Sequence, residues 1–411
     1  MKRPVLLLGA VPRITVPIAR SLHRHGVRVE VASFSSIEPA PRSTAISGFL
    51  RLPSPENQTG GQPSTLTQLA RLISERHYDM LIPVNDPALA FISEHDAPLR
   101  QLLYVACPPP EIVQKVLNKS LTVECARLAG IHTPSTYRVS NVSELQGLAD
   151  QLRFPLVAKP YDKSGEMQFK VRYFQTYQSL HQALADDEEF GSRLLLQEFV
   201  EGDGVGIEVL MHHGEAVAIF QHRRLKEVPA SGGVAAVAIA ESPEPMLVDQ
   251  ALKLLRVLEW EGVAMVEFRY DPTRRRSALL EVNGRYWGTS ALPIQVGMDF
   301  PWYEWQIAHG EKPSVPATYS MGARWRWSAG YIERWNGLVK SSARKALQHP
   351  ALLKELVPSL SDLCSRDALW DSADPMPAIF ELLRTVKNVA VSDVKSILRA
   401  LHSPRRGKKP A

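Results

Sequence analysis

The chain has 411 residues, a length that suits two or three domains. Hydrophobic residues make up 45% of it and charged residues 22%, the balance of an ordinary globular protein that can bury a large core. The formal net charge of +5 is too small to indicate a nucleic-acid-binding protein unless the excess is concentrated in one place.

The first hundred residues alternate short apolar runs with amphipathic stretches, the pattern of a parallel sheet covered by helices. The first helix should carry Pro17 in its first turn and end at Gly26. Residues 34–65 are rich in Pro, Ser and Gly and are predicted to be loop. The turn at Gly9 lacks a GxGxxG run, so no nicotinamide or flavin site is expected. The predicted strands are 5–9, 27–33, 78–84 and 102–106, and the predicted helices are 15–25 and 88–95.

A second region begins after the prolines at 108–110, with one or two helices over 111–129. It continues as strands separated by hairpin-like turns. Gly202, Gly204 and Gly206 in this region also miss the dinucleotide-binding spacing. Beyond Pro313 the chain is rich in Trp and helical near its end. The predicted strands are 155–160, 169–174, 193–199, 205–212, 215–222, 234–240, 262–270 and 277–283, and the predicted helices are 142–152, 177–187 and 243–258.

The excess positive charge lies at the end of the chain. Residues 403–411 carry four of the five excess charges, on Arg405, Arg406, Lys408 and Lys409. We predict that this tail is solvated and disordered, since it also contains Ser, Pro and Gly. The remaining chain is close to neutral, so no nucleic-acid partner is expected.

The cysteines indicate a reducing compartment. Cys107, Cys125 and Cys364 are far apart and include no CxxC pair, which argues against a disulfide framework and against a zinc site. The apolar runs are far shorter than the roughly 20 residues of a membrane-spanning helix. The start of the chain is also a poor match to a signal peptide. We therefore expect a cytoplasmic protein without a transmembrane segment.

Two neighbouring strands carry the most informative polar residues. Alternation places Met265 and Glu267 on one face of the first strand, and Glu281 and Asn283 on one face of the second. The charged turn over 271–276 predicts that the strands pair antiparallel, which brings Glu267 opposite Glu281 and Asn283. Two carboxylates and an amide oxygen form the hard ligand set that holds Mg²⁺ against nucleotide phosphates. The alternative is that these are solvent-facing strand residues.

Two lysines form a second signal. Lys159 stands at the exit of a buried strand, directly before a small turn that contains Ser164 and Gly165. Its ammonium group can point along the strand into a cleft, where phosphate is the natural partner. Lys119 begins a helix 40 residues upstream. Either lysine alone is more often a surface residue, so only the two together indicate a phosphate-binding site.

A third signal is the segment 197–202, an apolar strand that ends in acids and glycine. The backbone of such a strand end can hydrogen-bond to a planar heterocycle, and an acid can accept a hydrogen bond from a sugar hydroxyl. A strand end with solvent-facing acids would look the same.

With these blocks in order, residues 1–310 resemble the ATP-grasp superfamily, in particular the carboxylate-amine ligase-like members related to the modules of the carbamoyl-phosphate synthase large chain. The resemblance rests on Asn118-Lys119, on 157–160 with its Ser-Gly loop, on 197–202, and on the strands 262–268 and 280–285. It implies an α/β and α+β protein, in which a Rossmann-like pre-ATP-grasp domain precedes a two-subdomain ATP-grasp fold and a mainly helical C-terminal extension. The expected domains are 1–107, the ATP-grasp domain 108–312 with subdomains of about 118–192 and 193–312, the extension 313–402 and the tail 403–411.

The resemblance also implies how ATP would be held. Lys119, Lys159 and the Ser164-Gly165 loop would contact its phosphates. Glu208 or Glu201 would bind the ribose. The adenine would be held by Gln197, Glu198 and the backbone of Val200.

The same resemblance implies a metal site and an acceptor site. One or two Mg²⁺ ions, which Mn²⁺ could replace, would bind Glu267, Glu281 and Asn283. Arg285 would act with Lys159 in catalysis, stabilising the transferred phosphoryl group or anchoring the acceptor carboxylate. Weaker candidates for substrate contact are Arg223, Gly232 and Gly233.

The implied activity is an ADP-forming ligase that activates a small-molecule carboxylate as an acyl phosphate and joins it to an amine. Related proteins often dimerise, which leaves a homodimer open. One departure is the acidic and bulky segment 166–168, where family members often have small residues, and it could lower ATP affinity or turnover. It motivates one alternative, a non-catalytic or weakly active ATP-binding scaffold. A second alternative is carboxyl activation of the carbamoyl-phosphate synthase type, although only one module fits this chain.

Overall fold

The structure is a computed structural model that describes residues 2–34, 42–55, 63–160, 171–187, 190–191, 194–230, 232–345, 357 and 359–402. Within these ranges, no helix combines the length and the apolar character needed to cross a membrane. The predicted disordered tail at 403–411 lies outside the described residues.

Five short strands at the N-terminus form a parallel sheet in the order β3-β2-β1-β4-β5. All residues of β1 and β2 are buried, as expected where helices cover both faces of a parallel sheet. The predicted Rossmann-like sheet is therefore confirmed. The strands are β1 (Val5–Leu8), β2 (Val29–Ser33), β3 (Ile46–Arg51), β4 (Met80–Pro83) and β5 (Tyr104–Val105), and the helices are α1 (Pro12–Arg24), α2 (Thr65–Arg76), α3 (Asp86–Glu94) and α4 (Asp96–Arg100).

This region differs from the prediction in several details, and helices α2 and α4 were not predicted. Strand β3 lies inside the stretch 34–65 that was predicted to be loop. It is a half-buried edge strand whose backbone pairs with β2, a long-range partner that local composition does not reveal. Helix α1 begins at Pro12, so Pro17 lies inside the helix and not in its first turn. Pro12 suits the first position because its fixed φ and missing N–H cost nothing there.

Two helices lead into a four-stranded antiparallel sheet with the order β6-β9-β7-β8. The side chain of Asn118 separates the two helices, because it accepts hydrogen bonds from the first backbone N–H groups of the second one. The sheet and its own two helices share a separate apolar core. These elements are α5 (Pro110–Leu117), α6 (Lys119–Leu128), β6 (Thr136–Arg138), α7 (Val142–Gly147), β7 (Leu156–Pro160), β8 (Arg172–Phe174), α8 (Tyr177–Asp186) and β9 (Leu194–Glu198).

The third sheet has seven strands in the order β14-β13-β10-β11-β12-β15-β16. Strand β11 continues to Val228, beyond the predicted end at residue 222, because it stays paired with β12 across two irregularities. The strands are β10 (Asp203–His212), β11 (Glu215–Val228), β12 (Val234–Glu241), β13 (Gly262–Asp271), β14 (Arg276–Asn283), β15 (Arg324–Arg326) and β16 (Arg366–Asp367), and the helices are α9 (Pro245–Leu258), α10 (Ala291–Gln295) and α11 (Phe300–Ala308).

The C-terminal region is mainly helical, with α12 (Ser328–Lys345), α13 (Leu360–Leu363) and α14 (Met376–His402). It also supplies β15, which pairs with β12, and β16, which pairs with β15. The region after residue 312 thus completes the edge of the third sheet, and the division of the chain into domains stays a prediction.

One apolar core connects the first and third sheets. It joins buried residues of β1 and α1 to Tyr286 and Trp287, which directly follow β14. The carboxyl end of β1 is thereby held close to the end of β14, and a cleft between these elements becomes the candidate site.

Candidate functional site

The predicted hairpin of β13 and β14 forms with the expected partners. The strands are antiparallel, with Glu267 directly opposite Glu281 and Met265 opposite Asn283. The predicted antiparallel pairing of Glu267 with Glu281 is therefore confirmed, whereas Asn283 does not stand opposite Glu267. The side chains of Glu267, Glu281 and Asn283 line a cavity of about 1350 Å³, and Asn283 Nδ2 donates to Glu281 Oε1 over 3.0 Å. This places two carboxylates and an amide oxygen side by side, the chemistry that suits Mg²⁺.

Glu267 is 6% exposed, and its electrostatic surroundings are mixed. Burial raises its pKa, the guanidinium of Arg224 counteracts this, and the nearby Glu281 carboxylate raises it further. Arg224 Nη2 forms an ion pair with Glu267 Oε2. Adding a cation beside these facing carboxylates would relieve their repulsion, so the donor set fits a divalent metal ion.

Both predicted lysines line the same cavity. Lys119 Nζ donates to the carbonyl oxygen of Pro160 over 2.7 Å, and Lys159 Nζ donates to Gln197 Oε1 over 2.6 Å. The start of α6 and the end of β7 are therefore adjacent, although they are about forty residues apart in the chain. Ser164 and Gly165, predicted to contact phosphate, lie outside the described residues.

The predicted adenine segment also borders the cavity, at Gln197, Glu198 and Val200. Gln197 is 5% exposed, and its amide is held from two sides, accepting from Lys159 and donating to Thr136 Oγ1 over 3.3 Å. The strand end is thus connected directly to one of the two lysines. Contact with adenine itself stays a prediction.

Both ribose candidates lie away from the cavity lining. Glu208 is fully buried, and its Oε1 lies 2.8 Å from His222 Nδ1 and 3.3 Å from the hydroxyl of Thr289. Its carboxylate is enclosed by β11 and the segment after β14, and contact of Glu208 with ribose stays a prediction. Glu201 is exposed and is not part of the cavity lining.

Two of the weaker substrate candidates also lie away from the lining, while Gly233 belongs to it. Arg223 forms ion pairs with Glu241 at 2.7 Å and with Asp203 at 3.4 Å. Its neighbour Arg224 faces the cavity instead, because successive residues of a strand point to opposite faces. Gly232 has a φ of +127° and packs so closely on Tyr173 that a Cβ would overlap the phenol oxygen, which is a structural role.

Arg285 lines the cavity and is held by the first sheet. Its Nε and Nη2 bind Asp86 Oδ1 and Oδ2 at 3.0 and 2.9 Å, and its Nη1 donates to the carbonyl oxygen of Tyr286. Asp86 begins α3, directly after β4. This bidentate ion pair fixes the guanidinium at the junction of two sheets, and its predicted role toward phosphate or carboxylate stays a prediction.

Sequence reasoning missed several polar residues of the cavity, including Arg13, Asp86, His222 and Arg224. Arg13 lies over the ring of Trp327 at 4.0 Å, and burial lowers its pKa to about 10. The available signal was its place just after β1, since ligands of open α/β sheets bind at the carboxyl ends of strands. His222 and Arg224 share one face of β11, and the spacing of two was the signal there.

Comparisons with known proteins agree with this architecture. Residues 191–330 match a family described as ATP-grasp in the biosynthetic pathway with Ter operon. No curated protein matches the chain. An L-amino acid ligase from Bacillus licheniformis is 19% identical, with a TM-score of 0.59 over 75% of this chain and 74% of that one.

Two further solved structures have the same TM-score of 0.59. The biotin carboxylase domain of 2-oxoglutarate carboxylase from Hydrogenobacter thermophilus, solved with MgADP and bicarbonate, is 17% identical over 79% of this chain and 74% of that one. N5-carboxyaminoimidazole synthetase from Staphylococcus aureus, complexed with ADP, is 13% identical over 79% and 81%. The resemblance to the ATP-grasp superfamily is confirmed, and the chain has an ATP-grasp fold with a helical C-terminal region.

Proposed function

We propose that the protein is an ATP- and Mg²⁺-dependent ligase that joins a carboxylate to an amine and releases ADP and phosphate. The observation that carries this proposal is that one cavity is lined both by the oxygen donors Glu267, Glu281 and Asn283 and by the ammonium groups of Lys119 and Lys159. Such a cavity suits a polyphosphate that brings a divalent cation with it.

The lysines are suitably placed for phosphate. Each donates to a neutral oxygen, the Pro160 carbonyl for Lys119 and the Gln197 amide for Lys159. An anionic phosphate oxygen is a stronger acceptor than either of these, because attraction between opposite charges adds to the hydrogen bond. Mg²⁺ bound by Glu267, Glu281 and Asn283 would neutralise charge on the phosphate oxygens.

The reaction then balances in two steps. A carboxylate oxygen of the acid bonds to the γ-phosphorus of ATP, and the bond from that phosphorus to the leaving ADP oxygen breaks. The amine nitrogen next bonds to the acyl carbon, the bond from that carbon to the phosphate oxygen breaks, and the amine gives up a proton to solvent. Lys159 and Arg285 would stabilise negative charge on the transferred group. Asp86 would keep Arg285 in place.

The similarity in fold to an L-amino acid ligase supports an acid and an amine as the substrate classes. We also propose a cytoplasmic location, which the buried free thiols of Cys107 and Cys125 support. Burial raises the pKa of Cys107 to about 12, so this thiol is inert at neutral pH. The homodimer and the division into domains remain predictions.

The proposal is tested by measuring ADP release with a panel of amino acids, other carboxylic acids and bicarbonate, each with and without an amine. Hydroxylamine in a parallel series should trap the acyl phosphate as a hydroxamate. Lys159→Met should lower acid-dependent ADP release by about a hundredfold, the scale of losing a charged contact to the transferred group. Lys253→Met is the matched control, because Lys253 is exposed and pairs with Asp249 on α9.

Other outcomes would favour the alternatives. Tight ATP binding without acid-dependent ADP release across the panel would contradict the ligase and support a scaffold. Formation of carbamoyl phosphate from bicarbonate and ammonia, with two ATP converted to ADP for each molecule of product, would support the carbamoyl-phosphate synthase type of activation.

A further inference from the structure

Two glycines of β10 make room for two polar side chains of β11. Gly204 and Gly206 are two residues apart and therefore share a face of the strand. Gly206 pairs directly with His222, and a Cβ at residue 206 would overlap the imidazole. A Cβ at Gly204 would lie 3.0 Å from Arg224 Cδ and 2.9 Å from a carboxylate oxygen of Glu227. The glycine pair, which has no dinucleotide-binding spacing, thus lets His222 and Arg224 lie across the neighbouring strand.

The imidazole of His222 is fully buried and fixed in orientation. Its Nδ1 lies 2.8 Å from Glu208 Oε1, and Thr289 Oγ1 braces the same carboxyl group at 3.3 Å. Its Nε2 is buried and, among the described residues, has no hydrogen-bond partner, yet His222 borders the cavity. A buried polar nitrogen without a partner is costly, so the free energy of this site improves when a ligand supplies one.

Burial favours the uncharged forms of both His222 and Glu208. Burial raises the pKa of Glu208 well above its usual value, while burial and the positive charge of Arg224 lower the pKa of His222 to about 3. When Glu208 is protonated and donates to Nδ1, the imidazole proton lies on Nε2. In this tautomer Nε2 is a buried N–H donor without a partner among the described residues, on a residue that borders the cavity.

Arg224 supplies a second donor from the same face of β11. Its Nη atoms are held by Glu267, by the Gly233 carbonyl at 2.9 Å and by Glu227 at 3.4 Å. Its guanidinium is a permanent cation and forms ion pairs with Glu267 and Glu227. Its buried Nε also has no hydrogen-bond partner in the part of the chain that the structure describes.

We propose that the Nε2–H of His222 and the Nε–H of Arg224 bind an anionic oxygen of the acid substrate, so that this corner of the cavity is the carboxylate subsite. The inference rests on the proposed function, which requires an acid beside the γ-phosphate. Two N–H donors, one on a cation, select a carboxylate over an amine or an apolar group. A terminal phosphate of the nucleotide could bind the same two N–H donors. The experiments below therefore distinguish the acid substrate from the nucleotide.

The kinetic test uses three variants and a control. His222→Phe keeps a ring but removes the N–H, while His222→Gln keeps an amide donor. Gly206→Ala leaves both donors in the sequence but pushes the imidazole away. His132→Gln is the control, because His132 is exposed and lies outside the cavity lining.

His222→Phe and Gly206→Ala should raise the KM for the acid by about tenfold or more, the usual effect of losing a hydrogen bond to a charged group. The KM for ATP and the Kd of Mg²⁺·ADP, measured by calorimetry, should stay within about twofold. His222→Gln should recover most of the loss. An unchanged KM for the acid in His222→Phe, or a rise in the KM for ATP alone, would overturn the proposal.

A second measurement does not depend on turnover. In protein labelled with ¹⁵N-histidine, the Nε2 resonance of His222, identified by its loss in His222→Phe, should shift on titration with sodium acetate. A shift with inorganic phosphate and none with acetate would assign the donors to the nucleotide, and no shift with either would reject the subsite. If no acid stimulates ADP release in the parent protein, the proposed function fails while the acetate titration still decides the subsite.

Discussion

Glu281→Gln separates a metal-binding role of the β13–β14 face from a structural one. Glu281 stands opposite Glu267 in the hairpin, and its charge also acts on Arg224 and Arg285. Repulsion from Glu267 lowers the stability of the folded state and attraction to the two arginines raises it, so the two contributions partly cancel. Without metal, the substitution should therefore change the free energy of unfolding by less than about 1 kcal/mol, the scale of a cross-strand pair.

With Mg²⁺ and nucleotide present, the free energies of unfolding of the parent protein and of Glu281→Gln should differ much more. At a Mg²⁺ concentration of a hundred times Kd, binding stabilises the folded parent protein by about 2.7 kcal/mol. If losing one of three ligands weakens binding by about a hundredfold, the same concentration equals Kd and the stabilisation of Glu281→Gln falls to about 0.4 kcal/mol. The variant should thus be nearly normal in chelator and clearly less stable than the parent with Mg²⁺.

The assay is chemical denaturation in the presence of ADP, with either EDTA or Mg²⁺. Glu311→Gln serves as the control for loss of one acidic charge, because Glu311 is exposed and lies outside the cavity lining. It should gain the full metal-dependent stabilisation. If Glu281→Gln gains as much from Mg²⁺ as the parent does, Glu281 is not a metal ligand and the site would have to be reassigned.

Two further predictions concern stability. Asp86→Asn should lower the free energy of unfolding by about 1–3 kcal/mol, because its ion pair with Arg285 is intermediate between a buried and an exposed pair. A double-mutant cycle with Arg285→Gln should give a coupling energy above about 0.5 kcal/mol, and purely additive effects would contradict the pairing. Burial raises the pKa of Glu304 to about 7, so the folded state keeps this proton longer than the unfolded chain, and stability should fall as pH rises from about 4.5 to 7. Glu304→Gln should remove part of the fall in Tm over this range. The rest arises from the other carboxyl groups whose pKa burial raises, Glu208, Glu267 and Glu381, and an unchanged slope would refute the assignment.

The elements that sequence predicted well depend on local patterns. The hairpin that pairs Glu267 with Glu281 follows from strand alternation and a short polar turn, both of which are visible within about twenty residues. The parallel order of the first sheet follows from alternating apolar runs and helices. Strand β3 escaped prediction because its pairing with β2, and not its own composition, makes it a strand.

The cavity depends on contacts that no local pattern records. Asp86 reaches Arg285 from 199 positions away, because the first sheet packs on the end of β14. Glu208 was expected at a ribose but is enclosed beneath His222. Which of two adjacent arginines faces the cavity depends on the register of β11.

Strand and helix periodicity predicts the order of elements, the facing carboxylates and the two lysines, because it assigns residues to faces. Which faces meet depends on how the sheets pack: this packing brings Lys119 to the end of β7, turns Arg224 and not Arg223 to the cavity, and places His222 across Gly206. The physical reason is that burial, ion pairing and close backbone approach depend on residues distant in the chain, and folding supplies those partners only when the sheets pack together.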